Sequence, residues 1–259
     1  MDGQSAAINQ SAVIKRLEEA MNGKYSFEDL IHIVETLRSE NGCPWDRKQT
    51  HESLKPCMME EAAELVSSIR IYDKTGNAEN MREELGDILL QVMLHSQIAK
   101  EERLFTLEDV IHEISAKMIR RHPHVFGSSV KEKKAGDIPS DWEEIKRREK
   151  EGKTWIESPL REIPKELPAL TRASKVLKKA DRLYHTDNGY ENNVDWMEKS
   201  VKKLKELQPG KDSEELQEII GNILINLSDI ASRCGISQEQ ILTDRIEDFI
   251  EKYEPVEKP

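Results

Sequence analysis

The chain has 259 residues, of which 34% are charged and 5% are aromatic, a balance that favours amphipathic helices over sheets and predicts an all-α fold. Its 39 basic and 50 acidic residues give a formal net charge of -11, which argues against nucleic acid or an anionic membrane as a partner. No apolar run approaches the length of a membrane span and the amino terminus lacks a signal-peptide core, so we expect a cytoplasmic protein.

The first helix of the chain is predicted to follow an N-terminal extension, residues 1–23, to which we assign no function. Ser26 and Asp29 have the spacing of a capping box, and the apolar residues after them recur at helical intervals. We expect this helix to end before Gly42.

A predicted loop at residues 42–50 contains glycine, proline and Trp45. A tryptophan beside a helical core can simply cover that core. It can also offer an aromatic surface to a planar ligand such as a nucleobase, and the sequence leaves both interpretations open.

Two further helices, on either side of a turn at residues 73–77, each carry a pair of acidic residues. Glu61 and Glu64 form the first pair, and Glu84 and Asp87 form the second. A spacing of three places each pair on one helical face. Because the short turn makes the helices antiparallel, we expect the two pairs to face each other.

Four carboxylates brought together in this way repel one another, so they either take up protons or bind a cation. Oxygen ligands without His or Cys favour Mg²⁺, or Mn²⁺, over zinc. The alternative is that such pairs lie on solvated helix faces, as is common in glutamate-rich chains. The apolar residues around both pairs favour the metal site, and Gly86 suggests a close backbone approach at the same level.

Five motifs occur in order between about Phe27 and Glu149: GCPWDRKQTH, EEAAE, EELGDILLQV, RRHPHVFG and DWEEIKRREK. Together they resemble the MazG nucleoside triphosphate pyrophosphohydrolases, whose hallmark is Glu-Glu-x-x-Glu followed by Glu-x-x-Asp. The resemblance implies a four-helix core that dimerises, and hydrolysis of a nucleoside triphosphate to a monophosphate and diphosphate with Mg²⁺.

The metal ligands predicted on this basis are Glu61, Glu64, Glu84 and Asp87. Glu60 is rotated about 100° around the helix from Glu61 and is a candidate to position or deprotonate the attacking water. Glu60 and Glu61 are therefore the predicted catalytic residues, although Glu60 can instead pair with a lysine on the exterior.

Basic residues end the helix that Thr106 and Asp109 are predicted to cap: Lys117, Arg120 and Arg121. Cations at a helix C-terminus commonly complement its dipole. Opposite a carboxylate cluster they can instead hold the distal phosphates of a nucleotide, and the resemblance favours Lys117 and Arg121 for this role.

Trp142 and Lys146 follow on a short predicted helix that Ser140 would open. In the family, the equivalent residues reach the nucleotide. Trp142 can equally be a hydrophobic contact, and the sequence does not decide between the two roles.

A proline-rich segment at residues 153–167 predicts a linker between a MazG-like catalytic domain, residues 24–152, and a second helical domain, residues 168–259. The second domain repeats the order of helices of the first. With this repeat, the resemblance implies a tandem of MazG-like four-helix bundles that forms a homodimer. The last helix of the second domain is expected to be capped by Ser237 with Gln240.

The second domain lacks most of the predicted ligands. Lys202 and Lys203 occupy the positions of the paired glutamates, and Ile219 and Asn222 occupy those of the second acidic pair. Because an ammonium group has no lone pair to offer Mg²⁺, we predict a catalytically silent domain that serves packing, dimerisation or regulation.

The sequence therefore predicts an Mg²⁺-dependent hydrolase that acts on nucleoside triphosphates, either broadly or in a housekeeping role against non-canonical nucleotides. A competing hypothesis from another class is a helical module that binds nucleotides or a protein without catalysis. Only the first hypothesis predicts metal-dependent release of diphosphate.

Overall fold

The structure is a computed structural model. It describes residues 23–127, 145, 149, 157–186, 189–208, 210 and 213–254. These residues form helices and turns and contain no strand, which confirms the all-α prediction. None of the helices in these ranges has both the length and the apolar composition needed to cross a membrane. The predicted N-terminal extension lies outside the described residues up to position 22.

The chain divides into two compact units, Met1–Lys146 and Arg147–Pro259. The described helices of the first unit are α1 (Phe27–Arg38), α2 (Pro44–Lys48), α3 (Lys55–Thr75), α4 (Glu79–Glu101), α5 (Leu107–Arg121) and α6 (Pro123–Phe126). Its long elements are α3 and α4, which pack against each other as the predicted antiparallel pair. Gly76 ends α3 with a φ of 72°, a left-handed conformation that glycine adopts without strain.

The helix starts of the first unit confirm the two predicted capping boxes. The Ser26 hydroxyl accepts from the Asp29 backbone amide, and the Asp29 carboxylate accepts from the Ser26 amide at 2.8 Å. Thr106 and Asp109 form the same reciprocal pair at the start of α5. Each box satisfies backbone donors that have no partner within the helix.

The core of the first unit forms where α1 and the residues before α3 meet the C-terminal half of α4. Its buried side chains are Val34, Leu54, Met93, Leu94 and Ile98. The N-terminal half of α4, which carries the acidic pair, lies outside this cluster.

The segment predicted as a loop at residues 42–50 contains the short helix α2, so that part of the prediction is wrong. Pro44 occupies its first position, where a proline needs no hydrogen-bond donor and already has a helical φ. Arg38 holds the segment in place, because its guanidinium donates to the carbonyl oxygens of Asp46 and Gln49 and forms a bidentate pair with Glu101 of α4.

The close backbone approach expected at Gly86 is also wrong. A Cβ atom built at this position would meet no heavy atom of the described chain within 4 Å. Gly86 therefore lies at an open surface of α4.

The described helices of the second unit are α7 (Ala169–Tyr184), α8 (Tyr190–Leu204), α9 (Ser213–Arg233) and α10 (Gln238–Tyr253). α9 packs against both α7 and α8. Part of the predicted linker belongs to this unit, because Ile163 is buried and Glu162 pairs with Lys179 of α7.

The cap predicted for α10 is only partly correct. Ser237 occupies the N-cap position, but its side chain makes no capping hydrogen bond. The amide of Gln240 instead donates to Asp244 at 2.8 Å. The sequence signature therefore gave the position of the N-cap residue but not its hydrogen bond.

The Ser26→Ala variant is expected to lower the free energy of unfolding by about 1 kcal/mol, because the Asp29 amide loses its hydroxyl acceptor. Ser67→Ala, which replaces an exposed serine on α3, serves as the control and should change stability little. Urea unfolding followed by circular dichroism measures both. Equal effects of the two changes would show that the capping bond contributes nothing.

Candidate metal centre and active site

Helices α3 and α4 bring three of the four predicted ligands together. Glu61, Glu84 and Asp87 each place one carboxylate oxygen within 4.8 Å of the others. Glu84 is buried, and Glu61 and Asp87 are half-buried. A cluster of oxygen donors alone, spaced closely enough to contact one ion, fits a hard divalent cation such as Mg²⁺ or Mn²⁺.

The carboxyl group of Glu61 lies in an unfavourable electrostatic environment. Desolvation raises its pKa above the usual 4.5, and the negative charges of Asp87, Glu64, Glu84 and Glu60 raise it further. Both effects disfavour the ionised form, and a bound cation would reverse the second of them. The cluster is therefore under electrostatic repulsion, here called charge strain, which a bound divalent cation would relieve.

A neighbour that the sequence analysis did not identify positions Glu84. The side-chain amide of Asn80 donates a hydrogen bond of 2.7 Å to Glu84 Oε1. Both residues are on α4, four positions apart, which is the spacing at which helical side chains meet. That spacing could have revealed the contact. Asn80 leaves the second oxygen of Glu84 available to a ligand.

The other two predicted acids of α3 lie beside this group. Glu64 and Glu60 are exposed, and neither belongs to the three-residue cluster, although the charges of both act on Glu61. The assignment of Glu64 as a ligand and of Glu60 to the attacking water therefore stays a prediction.

The predicted nucleotide-binding residues are placed on the elements around the helix pair. Trp45 on α2 is 73% exposed. α5 contacts α4 and carries Lys117 and Arg121, both half-buried, and the exposed Arg120 near its end. Among the described residues, no ion pair involves Lys117. Trp142, Lys146 and their predicted cap Ser140 lie outside the described residues.

The second unit has no comparable cluster among its described residues. Ile219, aligned with Glu84, is buried to almost the same extent, 8% exposed against 9%. Lys203, aligned with Glu61, pairs with Glu215 of α9. An apolar side chain and a cation thus stand where the first unit has acids.

In the described residues, an all-helical fold whose longest helix pair gathers three carboxylates fits the class of hydrolases that bind a divalent cation and act on anionic substrates. Comparison with known proteins shows which family of hydrolases this is. The family model of the MazG nucleotide pyrophosphohydrolase domain matches residues 49–126, which contain the carboxylate cluster.

Similar proteins extend the match over most of the chain. The nucleoside triphosphate pyrophosphohydrolase/pyrophosphatase MazG of Thermotoga maritima is 40% identical over 238 residues, covering 90% of this chain and 86% of that protein. The nucleoside triphosphate pyrophosphohydrolase of Escherichia coli K12 is 34% identical over 241 residues, covering 88% and 86%. Bacillus subtilis YabN, an uncharacterised protein, is 46% identical over 177 residues, which cover 68% of this chain and 35% of YabN. The chain belongs to the MazG nucleotide pyrophosphohydrolase family.

The charge strain of the cluster predicts a change in stability that depends on metal. In EDTA at pH 7.5, Glu61→Gln should raise the melting temperature, because it removes one of the repelling charges. The raised pKa of Glu61 means that the destabilisation is present above that pKa and is relieved as the pH falls toward 4.5, so the gain should shrink in acid.

Adding Mg²⁺ should make the melting temperature of wild type higher than that of Glu61→Gln. Wild type should gain about 2.7 kcal/mol at one hundred times its Kd, and the variant should gain less. Glu83→Gln, at an exposed position outside the cluster, is the charge-matched control. An identical response of all three proteins to Mg²⁺ would contradict a metal centre at Glu61.

Proposed function

We propose that this protein hydrolyses nucleoside triphosphates to the monophosphate and diphosphate, with Mg²⁺, or Mn²⁺ in its place, bound by Glu61, Glu84 and Asp87 and completed by Glu64. The observation that supports this most directly is the convergence of three carboxylates from α3 and α4 inside the segment that matches the family. The names of the Thermotoga and Escherichia relatives support nucleoside triphosphates as the substrate class.

The chemistry requires a positioned water, a base and neutralisation of the phosphate charge. When bound, the divalent cation supplies part of that neutralisation. Glu60, exposed beside the cluster, accepts the proton of the attacking water. Its position on α3 next to Glu61 supports this role.

The substrate is held by cations and aromatic residues around the helix pair. Lys117 and Arg121, assisted by Arg120, bind the distal phosphates from α5. Trp45 stacks on the base. Trp142 and Lys146 contact the nucleotide from the segment after residue 127.

The active protein is a cytoplasmic homodimer that acts on several nucleotides or on non-canonical ones. One antiparallel helix pair cannot enclose a nucleotide, which supports completion of the pocket by a second copy. Large apolar side chains beside the acids are about half exposed and are available to such a partner: Met59, Val66 and Leu85.

The change Asp87→Asn should reduce kcat for diphosphate release at least about a hundredfold, because an uncharged amide is a poor ligand for Mg²⁺. Glu83→Gln, which also removes one acidic charge from α4, should leave kcat within about twofold, since the residue is exposed and outside the cluster. Coupled assays that detect diphosphate and orthophosphate separately, with Mg²⁺ and with EDTA, make the measurement. Full turnover by Asp87→Asn would refute the metal assignment.

The same assay, run on a panel of common and modified nucleotides, distinguishes the enzyme from the non-catalytic module. Metal-dependent diphosphate release from at least one triphosphate is expected. Binding without turnover across the whole panel would favour the module. Release of orthophosphate from added diphosphate would extend the activity to the second function in the Thermotoga relative's name.

The double change of Lys202 and Lys203 to alanine should leave turnover within about twofold, because the second unit holds no carboxylate cluster among its described residues. The same assay and a melting curve check this variant. Loss of activity in a protein that still unfolds at the wild-type temperature would show that the second unit takes part in the reaction.

A further inference from the structure

Two histidines of the first unit are joined outside the carboxylate cluster. His51 lies in the turn before α3 and His95 lies on α4, with their Nδ1 atoms 2.7 Å apart and their ring planes only 4° apart. The ring centroids are 5.0 Å apart, which is the Nδ1 to Nδ1 distance plus the two ring radii. The rings therefore lie edge to edge in nearly one plane, and each Nδ1 points at the other.

This geometry is that of an imidazole hydrogen bond, which depends on protonation. One Nδ1 must carry a proton and donate it, while the other must be bare and accept. If both nitrogens are protonated, no acceptor remains and two positive charges face each other. The bond between α4 and the turn therefore exists only while the facing nitrogens share a single proton.

The bond between the two histidines fastens the segment between α1 and α3, which contains Trp45 and is called the Trp45 segment. The Ser53 hydroxyl donates to Gln49 Oε1 at 2.7 Å, and the Gln49 amide donates to the Trp45 carbonyl at 3.5 Å. His51 lies within this hydrogen-bonded run. The Arg38 pair with Glu101 fixes the α2 end of the segment to α4, and the histidine pair fixes the end nearest α3.

The same helix carries the carboxylate cluster. His95 follows Glu84 by eleven residues, which is three turns and about 20° of residual rotation, so the two side chains share one face of α4 about 16 Å apart. A segment fastened at His95 is therefore held at a set distance from Glu84 and Asp87.

We propose that His51 and His95 are positioning residues that hold the Trp45 segment in place for the nucleotide base, and that a second proton on the pair releases it. This inference rests on the proposed function, in which Trp45 stacks on the base. The expected result is that the affinity for substrate falls in acid, whereas the rate of the chemical step does not change through this pair.

The charges around the pair set the direction of this response. Glu102 Oε2 lies 3.9 Å from His51 Nε2, and Arg38 of α1 pairs with Glu101, which follows His95 by six residues on α4. Burial lowers the pKa of His95 below its usual 6.5, and the nearby His51 lowers it further. The lowered pKa of His95 opposes a proton on its facing nitrogen, so the bond persists at neutral pH and is lost in acid once both facing nitrogens carry a proton.

Ring-nitrogen NMR on the ¹⁵N-labelled protein tests the bond without any nucleotide. At pH 7.5 one Nδ1 of the pair should be protonated and the other bare. The Trp45 indole signal, assigned with Trp45→Phe, should shift on acidification with the same midpoint as the pair. Two protonated Nδ1 atoms at pH 7.5, or a Trp45 signal that ignores the midpoint, would overturn the proposal whether or not the protein turns over nucleotides.

Kinetics then test the consequence for substrate. His51→Phe should raise KM about five- to tenfold at pH 7.5, the loss expected for one hydrogen bond, with kcat within about twofold. His51→Asn, whose amide can occupy the position of Nδ1, should restore KM and remove its rise between pH 7.5 and 5.5. His112→Gln on α5 is the control and should behave as wild type.

The kinetic outcomes separate this inference from the proposed function. A wild-type rise of KM in acid that persists in His51→Asn would overturn the positioning role while leaving the hydrolase intact. Absence of any turnover in wild type would refute the hydrolase, and the NMR result would still decide the pair. If His51→Phe fails to fold, His51→Asn and the wild-type pH profile are sufficient.

Discussion

Mutual repulsion among carboxylates is the constraint on which the first unit depends. α3 and α4 hold Glu61, Glu84 and Asp87 within 4.8 Å, although burial and neighbouring charges already disfavour the ionised form of Glu61. Such an arrangement is costly in a protein that has no cation to bind. It is tolerated because the core lies at the other end of α4, around Met93, Leu94 and Ile98, and supplies the packing that the acidic end lacks.

The division of α4 into an acidic half and a packed half also explains the contacts at its far end. Arg38 is buried and uses its guanidinium for both Glu101 and the carbonyls of the Trp45 segment. Separating the buried guanidinium of Arg38 from these acceptors would cost a large free energy. The segment is therefore held in one conformation. The contacts at the C-terminal half of α4 thus stabilise the helix whose N-terminal half carries the carboxylate cluster.

Periodicity and capping signals in the sequence were sufficient to predict the long helices of the first unit. Ser26 and Thr106 show why, because a capping box needs only four consecutive residues. The site was predicted as far as local spacing reaches: Glu84 and Asp87 share a face of one helix, and the short turn brings Glu61 opposite them. The short helix α2 was missed because its stability comes from Arg38 and Glu101, which are far apart in the sequence. The contact between His51 and His95 spans 44 residues and leaves no local pattern.

The exchange of a buried glutamate for the equally buried Ile219 has a consequence for how the two halves of the molecule respond to their surroundings. An apolar side chain at that level needs no counter-ion, so the second unit is complete without one. If the first unit binds a divalent cation as proposed, depletion of that cation would loosen the acidic helix pair, whereas the described residues of the second unit contain no carboxylate cluster to lose it.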